Sequence, residues 1–195
     1  MKNLAKCLWV LVVLACAPVA FAQETGTLIV KTLPFSSEKE LPRKVENQLK
    51  NGGLEWGIKD DLLVFTMVAK QFIDYPINHM TRYGQSESLT LPAGTYRITG
   101  IGLEMTTSFS VQKVLDRGAF INEDVMTLVI EPGKTTTLEI NPVIYKDATF
   151  AVNFWMPTLI ARVEGDTAEG TKLNQRGPAS IAWPQYHGPL KFVAR

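Results

Sequence analysis

The chain has 195 residues, a formal net charge of +1 and 20% charged residues, with no basic run interleaved with aromatics. That balance argues against nucleic acid and anionic membrane surfaces as partners. Both cysteines, Cys7 and Cys16, lie in the first 22 residues, so a chain that loses this segment has no thiol and no disulfide.

Met1 to Ala22 reads as an export signal. Lys2 and Lys6 form a positive start, Leu8 to Leu14 a short apolar run, and Ala20-Phe21-Ala22 a small-residue cleavage site, which predicts a mature chain beginning at Gln23. A bilayer helix needs about 20 apolar residues, and Pro18 interrupts this run, so no membrane span is expected. Val13-Leu14-Ala15-Cys16 resembles a relaxed lipoprotein signal and keeps a second possibility open, a membrane-anchored lipoprotein attached through Cys16. Removing 22 residues from 195 leaves 173, with a formal charge of −1. Residues 23–195 are read as a single domain, a length able to bury about 70% of its unfolded surface. No asparagine stands in an N-x-S/T sequon, which favours bacterial export, with the periplasm as the expected compartment.

Gly26 to Leu33 reads as a first strand, with Leu28 and Val30 on one face and Thr27, Ile29 and Lys31 on the other. Between Ser36 and Gly53, Leu41, Val45 and Leu49 recur every four residues behind Pro42 and ahead of Asn51-Gly52. A short helix and a charged loop both remain open there, because three apolar residues make a narrow stripe. Asp61 to Lys70 sets Leu62, Val64 and Val68 against Leu63, Phe65, Met67 and Ala69, which predicts a central strand covered on both faces. In the loop from Gln71 to Gln85, Phe72, Tyr75 and Tyr83 crowd around Pro76, either as a recognition surface or as packing on the chain's own fold.

Leu89 to Tyr96 reads as strand, tight turn, strand, and Leu128 to Ile140 repeats the pattern. Pro92 with Gly94 suits a type I turn, and Glu131-Pro132-Gly133-Lys134 a type II turn. Both types splay a tight hairpin, so each turn is expected to carry the chain from one sheet to the other. Beyond Ile98 the alternation changes parity to Ile101, Leu103 and Met105 across Gly100 and Gly102, which predicts a bulge. Phe109 to Gly118 is read as another strand. Phe150, Val152, Phe154 and Met156 alternate with Asn153 and Trp155 opposite, Pro157 is expected to turn the chain, and Leu159, Ala161 and Val163 to bring it back. Gly165 to Gly177 is a polar loop, followed by short edge strands at Ile181 with Trp183 and at Leu190 with Phe192. About ten short strands with regular turn signals predict an all-β fold, a single antiparallel β-sandwich with at most one short helix.

The residues Leu89, Pro92, Gly94 and Tyr96, then Glu131-Pro132-Gly133-Lys134 and Leu138-Glu139-Ile140, resemble the pattern of exported bacterial transthyretin-like and carboxypeptidase-regulatory-like sandwiches. The resemblance covers Leu89 to Pro142 and rests mostly on turn chemistry. It implies an immunoglobulin-like arrangement and a mostly non-enzymatic role as a spacer, an interaction module or a ligand-binding surface.

Catalytic patterns are sparse. Gly84-Gln85-Ser86-Glu87-Ser88 begins like a nucleophile elbow but lacks the final glycine and leads into a strand. Only His79 and His187 could serve as imidazole bases. Met67, Met80, Met105, Met126 and Met156 could serve copper, yet Met67, Met126 and Met156 fall on strand faces as ordinary packing. Asp60-Asp61 and Glu123-Asp124 are neighbours in turns, whereas a glycosidase needs carboxyls about 5 to 9 Å apart across a bond. No cofactor or metal is expected.

The leading expectation is therefore an exported non-enzymatic β-sandwich acting through its surface on an unknown protein or envelope component. Its candidate surface comprises Phe72, Tyr75, Tyr83, Trp155, Trp183 and Tyr186, although burial of Trp155 and Trp183 is the plainer expectation for tryptophan. The alternatives are a periplasmic binder of a small apolar or glycan ligand and an atypical hydrolase. A cavity of about 300 Å³ or more beside the Phe72 to Tyr83 loop would favour the binder. An imidazole within reach of a serine and a carboxylate would favour the hydrolase.

Overall fold

The computed structural model describes residues 24–68, 79–103, 111–123, 125–149 and 152–188. The leader with Cys16, Ala22 and Gln23, and also Phe72, Tyr75, Phe109, Phe150, Leu190 and Phe192, lie outside the described residues, as does the side chain of Trp155.

The described residues form two packed sheets. The first contains β1 (Thr25–Thr32), β2 (Ser36–Ser37), β6 (Ser86–Pro92), β10 (Thr135–Thr149), β11 (Val152–Val163) and β12 (Thr171–Lys172), in the order β12-β11-β10-β1-β6 with β2 also on β10. The second contains β3 (Gly53–Lys59), β4 (Leu62–Val68), β5 (His79–Arg82), β7 (Gly94–Leu103), β8 (Ala119–Ile121), β9 (Met126–Ile130) and β13 (Ile181–Ala182). Its order is β13-β8-β7-β4-β3-β5, with β9 also on β7. The all-β sandwich is as expected. The sheets are mixed rather than purely antiparallel, because β1 runs parallel to β10 and β4 parallel to β7.

Period-two alternation produces the core. Leu28, Val30, Leu138, Ile140, Leu159 and Ala161 point inward from the first sheet, and Leu54, Trp56, Leu63, Phe65, Tyr96 and Ile98 meet them from the second. Trp56 stacks on Phe65 with ring centroids 5.6 Å apart. Each such side chain contributes roughly 1.5–3 kcal/mol on burial, whereas an exposed pair such as Lys50–Glu46 contributes roughly 0–1 kcal/mol. Packing between the layers therefore holds the fold.

Both proline turns cross between sheets. β6 passes through Pro92 into β7, and β9 passes through Pro132 into β10. Gly133 has φ +67°, as a type II turn requires of its third residue. The Tyr96 hydroxyl donates to the Pro92 carbonyl at 2.7 Å, a tyrosine corner that fixes the first crossing. Asp60 and Asp61, at φ +50° and +58°, form the two-residue hairpin between β3 and β4. β4 is buried on both sides, as its sequence demands: Leu63 and Phe65 face the core, and Leu62, Val64 and Thr66 are also covered.

Several elements differ from the sequence reading. The open stretch after Ser36 contains helix α1 (Arg43–Lys50), in which Glu46 N donates to the Pro42 carbonyl; Pro42 is the N-cap rather than the first helical residue. Val111–Arg117 is a second helix, α2, where a strand was expected, so the described residues hold two short α-helices where at most one was expected. No bulge explains Gly100 and Gly102. The parity change reflects burial on both faces of β7, and the glycines make room for neighbours: a Cβ at Gly100 would lie 2.9 Å from Leu173 Cβ, and one at Gly102 would overlap the Phe120 ring. Pro157 does not turn the chain but sits inside the long strand β11 opposite Ile144.

Candidate ligand-binding cleft

β10 and β11 pair over twelve positions, from Leu138–Val163 out to Thr149–Val152. β1 leaves β10 at Ile140 and β2 leaves it at Ile144, while β12 covers β11 only at Ile160 and Ala161. From Tyr145–Met156 outward, the two strands pair only with each other among the described residues. They make a two-stranded arm, and at its base, where β11 faces the end of β7, lies a cleft of about 450 Å³.

The cleft has an apolar interior and a basic rim. Leu103, Phe120 and Pro157 are buried in its wall, and Met156 and Tyr145 are half-buried. Lys172 and Arg176 are exposed at its edge and Lys146 is half-buried. Aromatic faces position two of these cations: Lys172 Nζ lies 5.8 Å from the Tyr145 ring centre, and the Arg176 guanidinium 4.2 Å from that of Phe120. No carboxylate lines the cleft among the described residues.

Asn174 fixes the base of this site. β12 ends at Lys172, yet the chain stays beside β11: Leu173 N donates to the Leu159 carbonyl at 2.8 Å. The Asn174 side chain then takes the place of a backbone, since Leu159 N donates to its Oδ1 at 2.8 Å and its Nδ2 donates to the Pro157 carbonyl at 2.8 Å. A longer contact, 3.4 Å, runs from Nδ2 to the Ile101 carbonyl on β7. One buried amide thus satisfies the edge of one sheet and reaches the other.

The aromatic residues singled out in the sequence do not form one exposed face. Trp183 and Tyr186 are 3% and 2% exposed and stack at 5.4 Å in a 3₁₀ turn packed against α2 and β8. Tyr83 is half-buried, edge-on to Phe35 and donating to the Gly53 carbonyl at 3.0 Å; burial pushes its phenol well above the ordinary range. The large hydrophobic side chains that are exposed among the described residues are Met80 and Val129. The cleft residues that sequence reasoning missed, Tyr145, Lys146, Lys172 and Arg176, come from two distant stretches; Met156 and Pro157 drew notice only as strand and turn.

His79 enters a different arrangement. Its Nδ1 lies 2.6 Å from Glu87 Oε1, and its ring stacks on Trp56 at 4.3 Å. Thr81 Oγ1 donates to Glu87 Oε2 at 3.2 Å and accepts from the Trp56 indole at 3.0 Å. The nearby hydroxyl belongs to a threonine bonded to the carboxylate and the indole, with β5 of one sheet joined to β6 of the other, so this is a clasp between layers. Lys31, Glu139 and Arg162 form a cross-strand row on the first sheet, where Arg162 and then Lys31 hold the Glu139 carboxyl below its ordinary range. Met67 is core packing, and no group of three His, Cys, Asp or Glu that could hold a metal occurs among the described residues. No helix among them is long and apolar enough to cross a membrane. Compared with family models, curated proteins and solved structures, the chain finds no match.

Proposed function

We propose that the chain is an exported, non-catalytic β-sandwich that works by binding a small ligand in the cleft at the base of the β10–β11 arm. The observation that carries this reading is a concavity of about 450 Å³ with a buried apolar wall and a few polar groups at its edge, the composition and size usual for ligand sites. Tyr83, the described member of the aromatic group noted between Phe72 and Tyr83, does not line it. The reading is favoured over a flat aromatic docking face because Trp183 and Tyr186 are buried.

Methyl-labelled methionine provides the test. Met156 lines the cleft, Met80 is exposed on β5, and Met67 is buried in the core. Titrating a library of small amphiphiles into the mature chain is expected to move the Met156 resonance first and leave Met80 in place. Ligands that shift Met80 while leaving Met156 unchanged would overturn the assignment of the site.

A further inference from the structure

We infer that Asn51–Gly52 is a self-modification site, where Asn51 turns into aspartate and isoaspartate with release of ammonia, and that the last turn of α1 is the latch that holds the reaction back. The chain contains one asparagine followed by glycine. The reaction needs that order: the nitrogen of the next residue, once deprotonated, attacks the asparagine Cγ, and a Cβ on that residue would crowd the approach. Asn141, by contrast, precedes a proline, which has no N–H to give up. At Asn51 a bond forms from Gly52 N to Cγ, the Cγ–Nδ2 bond breaks, and the proton from Gly52 leaves with ammonia. Water then opens the five-membered imide at Cγ, giving aspartate, or at the Asn51 backbone carbonyl, giving isoaspartate. The folded chain opposes ring closure. Asn51 is exposed, so water reaches it, but its Nδ2 donates to the Asn47 carbonyl at 2.8 Å and the Gly52 N–H donates to the Leu49 carbonyl at 2.8 Å. With ψ at −1°, the Gly52 nitrogen eclipses the Asn51 nitrogen, whereas the ring needs it to eclipse Cβ. The end of α1 must therefore release both bonds and rotate before Asn51 can react. The products do not fit the old place. Aspartate has no Nδ2 proton for the Asn47 carbonyl and sets a negative charge at the C-terminus of α1. Isoaspartate lengthens the backbone by one carbon just ahead of Gly53, where a Cβ would already lie 2.7 Å from the Thr81 carbonyl oxygen. Leu49 is anchored in the core and Gly53 opens β3, so either product loosens the junction of α1 with the second sheet.

The experiment incubates the mature chain at mildly alkaline pH and follows the aspartate and isoaspartate peptides from Asn51 by chromatography and mass spectrometry. The folded chain is expected to react at least tenfold more slowly than the same chain in guanidinium chloride. Glu46→Gly removes the pair with Lys50 and puts glycine inside α1, and should speed the folded reaction about fivefold. Asn174→Ala breaks bonds on β11 instead and should leave the rate unchanged, because the latch opens locally. Circular dichroism shows that both variants are folded. A folded rate equal to the denatured rate, or one that Glu46→Gly does not move, would overturn the latch. Acceleration by Asn174→Ala as large as that by Glu46→Gly would place the gate in global unfolding and overturn it too. A denatured chain that forms neither product at Asn51 would overturn the site itself.

Discussion

Replacing Asn174 measures how much of the sandwich depends on one side chain standing in for a strand. In Asn174→Ala, the Leu159 N–H and the Pro157 carbonyl both lose their partner, each from a bond of 2.8 Å. Leu159 is fully buried and Pro157 is buried too. A buried group left without a partner costs about 1–3 kcal/mol, and the 3.4 Å contact to Ile101 adds little at that distance. Water from the adjoining cleft can reach part of the gap, so the expected loss is about 2–4 kcal/mol. Urea unfolding followed by fluorescence and circular dichroism should show a lower midpoint with an unchanged slope. Asn174→Asp sharpens the test. Its carboxylate still accepts from Leu159 N but faces the Pro157 carbonyl without a proton to donate, so at neutral pH it should be at least as damaging as alanine. Burial raises the folded-state pKa of that carboxyl above its unfolded value, so the variant should recover stability as pH falls toward 4, when the protonated acid can donate. A loss below about 0.5 kcal/mol for Asn174→Ala, within the range of ordinary surface substitutions, would refute the reasoning.

Asp61→Gly should stabilise the protein by about 0.5–1 kcal/mol in the same urea assay, because Asp61 holds φ +58° in the hairpin turn and glycine reaches that region without strain. The parent should lose stability as pH falls below the ordinary carboxylate range. Arg162 and Lys31 depress the Glu139 pKa, so its contribution is present at neutral pH and disappears as the folded-state carboxyl takes up its proton; Glu139→Gln should flatten that acid limb. At the alkaline end the sign reverses. Burial raises the phenols of Tyr83 and Tyr96, with Asp61 adding to the shift at Tyr96. Their contribution is full below the unfolded pKa near 10 and declines above it, so a Tyr83→Phe, Tyr96→Phe double variant should show a weaker alkaline decline. It should also cost about 1 kcal/mol at neutral pH for each hydroxyl bond lost.

What the sequence revealed follows from which forces act locally. The crossings at Pro92 and Pro132 were legible because proline and Gly133 set backbone angles by themselves, and a splayed turn between two apolar strands has to change sheets. β1 and β4 were legible because one is buried on one face and the other on both, and alternation records that directly. Helix α2 was not, because Val111 and Val114 carry strand-like propensity in a segment of only seven residues, and its packing against the Trp183 turn and β8 decides the outcome. Pro157 was misread for a related reason. A proline ends a strand when its missing N–H interrupts a ladder, but β12 leaves β11 uncovered at that position and the Pro157 carbonyl is met by Asn174. The glycine pair on β7 records the approach of Leu173 and Phe120, contacts between residues far apart in the chain. The cleft was illegible for the same cause, since its aromatic wall and basic rim exist only once β8, β10 and the segment after β12 converge.

The most direct measurement is a crystal structure of the mature chain soaked with a set of small amphiphiles. The account predicts that those that bind occupy the cleft at the base of the β10–β11 arm, against Phe120 and Met156. Ligands bound elsewhere on the chain with the cleft left unoccupied would contradict it.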